Sequence, residues 1–251
     1  MQRRYAEEVP DLSPLTRVAA GTAGAAALGL GYATLIERNA FTLREVTVPV
    51  LAPGASTPCA AHQRPAHDAG AETETELAQG AGSLEPDLVI NTGDNLSHPK
   101  SVPAVVQALS GLLARPGLFV FGSNDYFAPV LKNPLAYFDK DHDRLYGPPL
   151  PWGDLRAAFN ERGWQDMTHV RRDVEVGGVR ISVAGVDDPH LERDRYETIA
   201  GSADKSADLR LGLSHSPEPR VLDRFADDGT TSYSPATPTA VSCACRSSAR
   251  W

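Results

Sequence analysis

The stretch PDLVINTGD, Pro86–Asp94, indicates the fold class more clearly than any other part of the chain. Its apolar run lies between a proline and a Gly-Asp turn, a pattern that predicts a short buried strand ending in a polar turn. GLFVFGSND, Gly117–Asp125, repeats the pattern, and LRLGLSHSP, Leu209–Pro217, repeats it again. We therefore expect several buried strands whose carboxyl ends carry polar side chains.

Helical segments and one hairpin separate these strands. The stretch Asp173–Asp188 predicts a hairpin that turns across Gly177-Gly178. Apolar residues at helical spacing predict three helices, the first with Ser101 as its N-cap and the others closed by glycines: Ser101–Ala114, Trp152–Gly163 and Glu218–Gly229. A further strand is predicted at Leu43–Leu51. This alternation predicts the α/β class, with two sheets or one mixed sheet flanked by helices.

Composition narrows the function classes. The chain has 251 residues, 41% of them hydrophobic, and a net charge of -8. This length suits one large domain or two small ones. An acidic chain is a poor nucleic-acid binder, so no nucleic-acid partner is expected. The three cysteines, Cys59, Cys243 and Cys245, form neither a disulfide framework nor a complete zinc site.

The N-terminal segment has the pattern of a membrane anchor. No charged residue lies between Arg17 and Glu37, and Arg3 and Arg4 also precede this stretch. Its length and flanking charges predict a signal-anchor or an uncleaved export signal, with a buried alanine-rich helix as the alternative. We therefore expect residues 1–40 to be an anchor or signal segment that places the protein at a membrane or outside the cell, and residues 41–229 to form the main domain.

Polar clusters follow three of the apolar strands. The residues are Asn91, Asp94 and Asn95 after the first, Ser123, Asn124 and Asp125 after the second, and His215 after the third. Ligand sites of α/β folds collect at the carboxyl ends of strands. Carboxylate, amide and imidazole groups are ligands for Mn, Fe and Zn. Each cluster alone suits a turn, but three on successive strands favour a metal site.

Four stretches together resemble the calcineurin-like metallophosphoesterases, especially a membrane-anchored bacterial branch. They are LVINTGDNL, FVFGSNDYF, VAGVDDPH and LGLSHSPEPRVLD. The resemblance covers Leu43–Leu51 and residues 83–229. It implies a sandwich of mixed β-sheets flanked by helices, incomplete in this chain, and two divalent metal ions such as Mn, Fe or Zn.

The resemblance also implies roles for individual residues. Gly93-Asp94 matches the family's second block, whose aspartate bridges the two metals, and His215 matches the fourth. The third block, usually G-N-H-D, reads G-S-N-D here. Ser123 then falls on the metal-ligating Asn and Asn124 on the catalytic His, although a one-residue adjustment makes Asn124 the ligand. Asn95, Asp125 and His190 are further candidates at the edge of the site.

The family's first block, D-x-H, and fifth block, G-H-x-H, are absent from the chain as written. Both would fall where periodicity fails, in residues 55–82 and 230–251, which we call the out-of-frame segments. When the codons from Cys59 to Asp68 are shifted one base forward, they permit V-L-H-I-S-D-L-H-M. Codons from Pro235 onward, shifted back by one base, permit G-H-T-H-G-G-Q-L-C-V. We interpret both segments as out-of-frame translations and expect them to be irregular.

The resemblance implies hydrolysis of phosphate mono- or diesters by a two-metal mechanism, with a small phosphate ester as substrate. Because two ligand blocks are missing, we expect this activity to be impaired in the chain as written. The alternative is a non-catalytic product of a frameshifted gene or pseudogene that retains only part of the fold.

Overall fold

The computed structural model describes residues 13–35, 59–62, 85–130 and 146–233. The chain divides into two units, Met1–Ala40 and Phe41–Trp251. The first unit contains helix α1, Pro14–Leu35, whose first turn is capped because the Thr16 N–H donates to the Ser13 Oγ at 3.3 Å. Among the described residues, no helix is both long enough and apolar enough to cross a membrane. The membrane anchor therefore stays a prediction.

The second unit contains two four-stranded sheets. The first sheet is parallel throughout, and its strands follow chain order: β1 Cys59–His62, β2 Leu88–Asn91, β3 Gly117–Phe119 and β4 Gln165–Asp166. The second sheet is mixed, because its first pair is antiparallel and the other pairs are parallel: β5 Val170–Val176, β6 Val179–Gly185, β7 Leu209–Leu213 and β8 Thr231–Tyr233.

Helices cover the outer faces of the two sheets. They are α2 Val102–Ala108, α3 Ser110–Leu113, α4 Ser123–Tyr126, α5 Trp152–Asn160 and α6 Pro219–Asp227, and two 3-10 turns, Pro189–Leu191 and Tyr196–Thr198, follow β6. On the first sheet, the rings of Phe119 and Phe159 meet edge to face with centroids 5.2 Å apart. On the second, Phe225 of α6 meets Tyr196 in the same way, also at 5.2 Å.

The inner faces of the sheets share one hydrophobic core. Ile90 and Leu118 from the first sheet pack in one buried cluster with Ile181, Val183 and Leu213 from the second. Burial of such side chains contributes about 1.5–3 kcal/mol each to folding. The predicted α/β class is confirmed: two small sheets packed face to face are flanked by helices.

Several predicted turns form as expected. Gly177 and Gly178 have φ of 57° and 78°, the left-handed values that a two-residue hairpin turn needs between β5 and β6. Gly163 and Gly229, which follow α5 and α6, have φ of 87° and 78°. A glycine in this conformation ends a helix at low cost because it has no Cβ.

The structure corrects the expected N-cap of α2, the helix predicted to begin after Ser101. The Ser101 side chain makes no capping bond, and its hydroxyl donates instead to the His98 carbonyl at 2.6 Å. The predicted single helix is also divided at Leu109 into α2 and α3. The strand predicted at Leu43–Leu51 lies outside the described residues.

The out-of-frame segments are not wholly irregular, so that prediction is wrong where they are described. Cys59–His62 pairs with β2, and Thr231–Tyr233 pairs with β7, in each case as an outer strand of the described sheet. Parallel pairing uses main-chain groups that every residue except proline carries. An outer strand can therefore form even where the side-chain pattern is poor. The rest of both segments lies outside the described residues.

Candidate functional site

Three loops meet at the carboxyl ends of β2, β3 and β7. Asn91 of β2 pairs in parallel register with Phe119 of β3, so the loops that follow these two strands leave the sheet at the same edge. The loop after β2 carries Asp94, and the turn after β3 begins α4, which carries Asn124. His215 follows β7 of the second sheet. The described structure brings these three predicted site residues together.

Asp94 is the central residue of this group. Its Oδ1 accepts a hydrogen bond from the Asn124 backbone N–H at 2.9 Å, and its Oδ2 accepts one from the Asn124 Nδ2 at 2.8 Å. The same Oδ1 lies 3.5 Å from the His215 Nε2. Asp94 has a left-handed φ of 62° and follows Gly93, whose φ is 93°. Strained backbone of this kind is typical of functional sites.

The His215 imidazole has a defined orientation. Its Nδ1 lies 2.7 Å from the Thr92 carbonyl oxygen. A carbonyl only accepts hydrogen bonds, so Nδ1 carries a proton and the neutral ring keeps its lone pair on Nε2, toward Asp94. Burial lowers the pKa of His215, but the carboxylates of Asp94 and Asp188, with the bond to the Thr92 carbonyl and the charge of Asp125, together raise the pKa above its ordinary value. An Nδ1–H bond to a backbone carbonyl is typical of metal-binding histidines.

Gly122 allows Asp94 and His215 to approach each other. A Cβ on Gly122 would lie 2.4 Å from the Asp94 Oδ1 and 2.4 Å from the His215 Cε1. Contacts this short do not occur between non-bonded atoms, so any larger residue would separate the two side chains. The glycine of the G-S-N-D stretch is therefore required by packing at the site.

Asp125 holds two loops of the site together through hydrogen bonds to their backbone. Its fully buried carboxylate accepts from the backbone N–H groups of Asp94 at 2.8 Å, Asn95 at 2.7 Å and Gly122 at 2.9 Å. Burial, together with the charge of Asp94, raises the pKa of the Asp125 carboxyl to about 6. These bonds join the loop after β2 to the turn before α4, so Asp125 fixes the positions of Asp94 and Asn124.

The other predicted residues lie around this centre. Asn95 is buried, and its Nδ2 donates to the Asn91 Oδ1 at 3.1 Å, so both asparagines brace the loop after β2. Ser123 is half-buried at the start of α4, and its carbonyl accepts from the Phe127 N–H at 3.1 Å. Of the two alternatives in the third block, it is Asn124 that contacts Asp94. His190 is exposed, and its backbone N–H donates to the Asp188 Oδ1 at 2.8 Å.

Sequence reasoning missed two buried carboxylates, Asp187 and Asp188, which follow the end of β6 after Val186. Asp187 accepts from the Tyr126 hydroxyl at 2.7 Å and from the Arg193 Nε at 3.0 Å. The Arg193 guanidinium also lies 4.0 Å from the centroid of the Tyr126 ring. Both aspartates stand in VDDPH, where another apolar strand ends in polar residues, so the strand-end criterion could have found them.

Asp188 has an oxygen without a partner. It is completely buried, and its Oδ2 makes no hydrogen bond. Burial raises the pKa of its carboxyl to about 6, although the nearby charge of His215 acts in the opposite direction. An unpaired buried polar atom typically costs about 1–3 kcal/mol, so it calls for a functional explanation.

The donor set fits the implied metal centre only in part. Asp94 and the His215 Nε2 face each other, and a carboxylate with an imidazole suits Mn, Fe or Zn. Within the described ranges, however, no group of three or more His, Cys, Asp and Glu side chains is placed so that it could hold a metal ion. The described residues therefore do not fit a two-metal centre by themselves.

Comparisons with known proteins assign no family to the chain. No family model matches it, and no curated protein matches it. Among solved structures it is similar to the protein TT1561 of Thermus thermophilus, with 11% sequence identity and a TM-score of 0.43. That match covers 75% of this chain and 89% of the other.

Proposed function

We propose that this chain carries the site of a metal-dependent phosphoesterase in incomplete form. The observation that supports the proposal is the meeting of Asp94, Asn124 and His215. The sequence assigned these residues to one site from three separate stretches, and their side chains lie together at the strand ends. The resemblance to calcineurin-like metallophosphoesterases adds the reaction class, which is hydrolysis of a phosphate monoester or diester.

The retained residues position one another. Asn124 holds the Asp94 carboxylate through two hydrogen bonds, and the Thr92 carbonyl holds the His215 ring. Asp125 joins the loops that carry Asp94 and Asn124. A complete site also needs the family's first and fifth blocks, which the chain as written lacks. The proposed activity therefore belongs to the frame-restored chain, in which residues 55–82 and those from 230 onward are read in the shifted frames.

A second candidate is a non-catalytic product that keeps part of the fold. It is favoured by one observation, that the described residues gather no three ligands that could hold a metal. The two candidates predict different results for the frame-restored chain. If the shifted frames encode the missing ligands, the restored chain should hydrolyse phosphate esters. If they do not, it should stay inactive.

The proposal is tested by replacing Asp94 with Asn in the frame-restored chain. We expect kcat/KM for 4-nitrophenyl phosphate with Mn²⁺ to fall by about a hundredfold or more, because the amide removes a charged donor from the site. The matched control is Asp173→Asn, which changes an exposed carboxylate on β5 and should keep the activity. Equal activity of the Asp94→Asn chain and its unsubstituted parent would contradict the proposed site.

A further inference from the structure

The candidate site is formed by loops of two different sheets. Asp94 and Asn124 follow strands of the first sheet, and His215 follows β7 of the second. The sheets meet through apolar side chains, and apolar contact is not directional. Hydrogen bonds between the strand ends, which depend on distance and angle, are therefore needed to fix how far His215 lies from Asp94.

Tyr126 makes one such bond between the sheets. It is the last residue of α4, two residues after Asn124. Its buried ring packs in the cluster that covers the first sheet, with centroids 5.8 Å from Phe121 and 5.4 Å from Trp152. Its hydroxyl donates at 2.7 Å to the Oδ1 of Asp187, just beyond the end of β6. Burial, together with the charge of Asp187, raises the pKa of Tyr126, so the hydroxyl keeps the proton that it donates.

Asp187 is held by two further donors. The Asp188 N–H donates to its Oδ1 at 2.9 Å, and the Arg193 Nε donates to its Oδ2 at 3.0 Å. The Arg193 guanidinium carbon also lies 4.0 Å from the centroid of the Tyr126 ring. Arg193 therefore contacts both partners of the bond between the sheets. We call Tyr126, Asp187 and Arg193 the Tyr126 cluster.

The Tyr126 cluster lies one strand away from His215. The Val186 N–H donates to the Leu213 carbonyl at 3.1 Å, so β6 and β7 end side by side. Asp187 follows Val186, and His215 stands two residues after Leu213. A displacement of Asp187 would therefore reach the loop that carries His215 through this pairing.

We propose that Tyr126 is a positioning residue of the candidate site. Through its cluster it holds α4 against the end of β6, and this keeps the His215 Nδ1 on the Thr92 carbonyl at 2.7 Å and the His215 Nε2 toward Asp94. The inference rests on the proposed function only for the location of the site. It gives Tyr126 no part in the chemistry, because the hydroxyl acts through other residues.

The chain offers a matched control, a second cluster of one tyrosine, one aspartate and one arginine. The Tyr196 hydroxyl donates to the Asp228 Oδ2 at 2.9 Å, and the Arg171 Nη2 donates to the same oxygen at 2.8 Å. Tyr196 is as buried as Tyr126, each with 3% of its surface exposed. This second cluster joins the end of α6 to β5, both on the second sheet, so it does not link the two sheets.

The test measures the tautomer of His215 in the chain as written, by NMR of the nitrogen-labelled imidazole ring, with a chelator present and at a pH where the ring is neutral. A proton on Nδ1 reports the bond to the Thr92 carbonyl, which only accepts hydrogen bonds. We expect the parent ring to carry this proton. Tyr126→Phe should move the tautomer ratio toward Nε2–H at least about fivefold, as expected for a local equilibrium that loses one hydrogen bond. Tyr196→Phe should leave the ratio unchanged.

Three results would overturn the inference: a parent ring without a proton on Nδ1, an unchanged ratio in Tyr126→Phe, or an equal change in Tyr196→Phe. If Tyr126→Phe does not fold, Arg193→Gln takes its place, because it removes a member of the same cluster whose side chain is 43% exposed. It should shift the ratio in the same direction, and an unchanged ratio overturns the inference. The readout does not depend on hydrolysis, so an inactive frame-restored chain would contradict the proposed function without changing this result.

Discussion

The frame-restored chain is expected to hydrolyse 4-nitrophenyl phosphate, with added Mn²⁺, at least about a thousandfold faster than the chain as written. If the shifted frames encode the two missing blocks, restoration would supply an aspartate and a histidine from the first block and two histidines from the fifth. In the resembling family these groups complete the shell of two ions, which activate water and stabilise the phosphoryl group. The chain as written keeps Asp94, Asn124 and His215, and these do not hold two ions.

The comparison needs a control for folding, because restoration also changes β1 and β8. Both chains should therefore be compared by circular dichroism and thermal unfolding before activity is measured. A restored chain with Asp94→Asn separates site chemistry from better folding, because it keeps the restored strands. Equal hydrolysis by the restored and unrestored chains would show that the frame argument is wrong.

Replacing Asp125 with Ala is expected to lower the free energy of unfolding by at least about 3 kcal/mol. The substitution leaves three backbone N–H groups, those of Asp94, Asn95 and Gly122, without their acceptor in the protein interior. Each unsatisfied buried donor typically costs about 1–3 kcal/mol, which outweighs the relief of removing a buried carboxyl. The melting temperature should fall by roughly 10 °C.

Thermal unfolding of the chain as written measures this effect without any activity assay. Asp173→Ala removes an exposed carboxylate of the same size from β5 and should change stability by less than about 0.5 kcal/mol. A fall for Asp125→Ala no larger than for Asp173→Ala would mean that Asp125 does not hold the two loops together.

The α/β class was predictable because its signals are local. The Gly177-Gly178 turn, the apolar run of β2 and the glycine that ends α6 each follow from short-range chemistry. The break at Leu109 was missed although the pair Ser110-Gly111 follows it directly, and such pairs commonly kink or break helices. Ser101 shows a similar limit: its hydroxyl has a competing local acceptor, the His98 carbonyl, that a capping rule ignores.

The site was predictable only where its signals are local. Polar residues at strand ends indicated Asp94, Asn124 and His215, and parallel strands bring such ends to one edge. Whether each residue faces the centre or braces a loop depends on contacts between distant stretches. Asp125 and Asp188 show this, since one carboxylate is fully used by backbone donors and the other keeps a free oxygen.

Strands β1 and β8, which lie inside the two out-of-frame segments, end beside the strands that lead to the candidate site. His62 at the end of β1 pairs with Asn91, and Tyr233 at the end of β8 pairs with Leu213. Both pairings are parallel, so β1 ends beside the strand that precedes Asp94, and β8 ends beside the strand that precedes His215. In the shifted reading, the first and fifth blocks directly follow these two strand ends.

The nucleotide sequence of the gene tests the central claim most directly, because the shifted frames demand particular third bases. The account predicts A at the third position of the Arg64 and Ala66 codons, which gives Asp and His one base forward. In the tail it predicts G for Pro235 and C for Ala236 and Pro238, which gives Gly, His and His. Other bases at these positions, or stop codons within the shifted stretches, would contradict the claim that two metal-binding blocks are encoded out of frame.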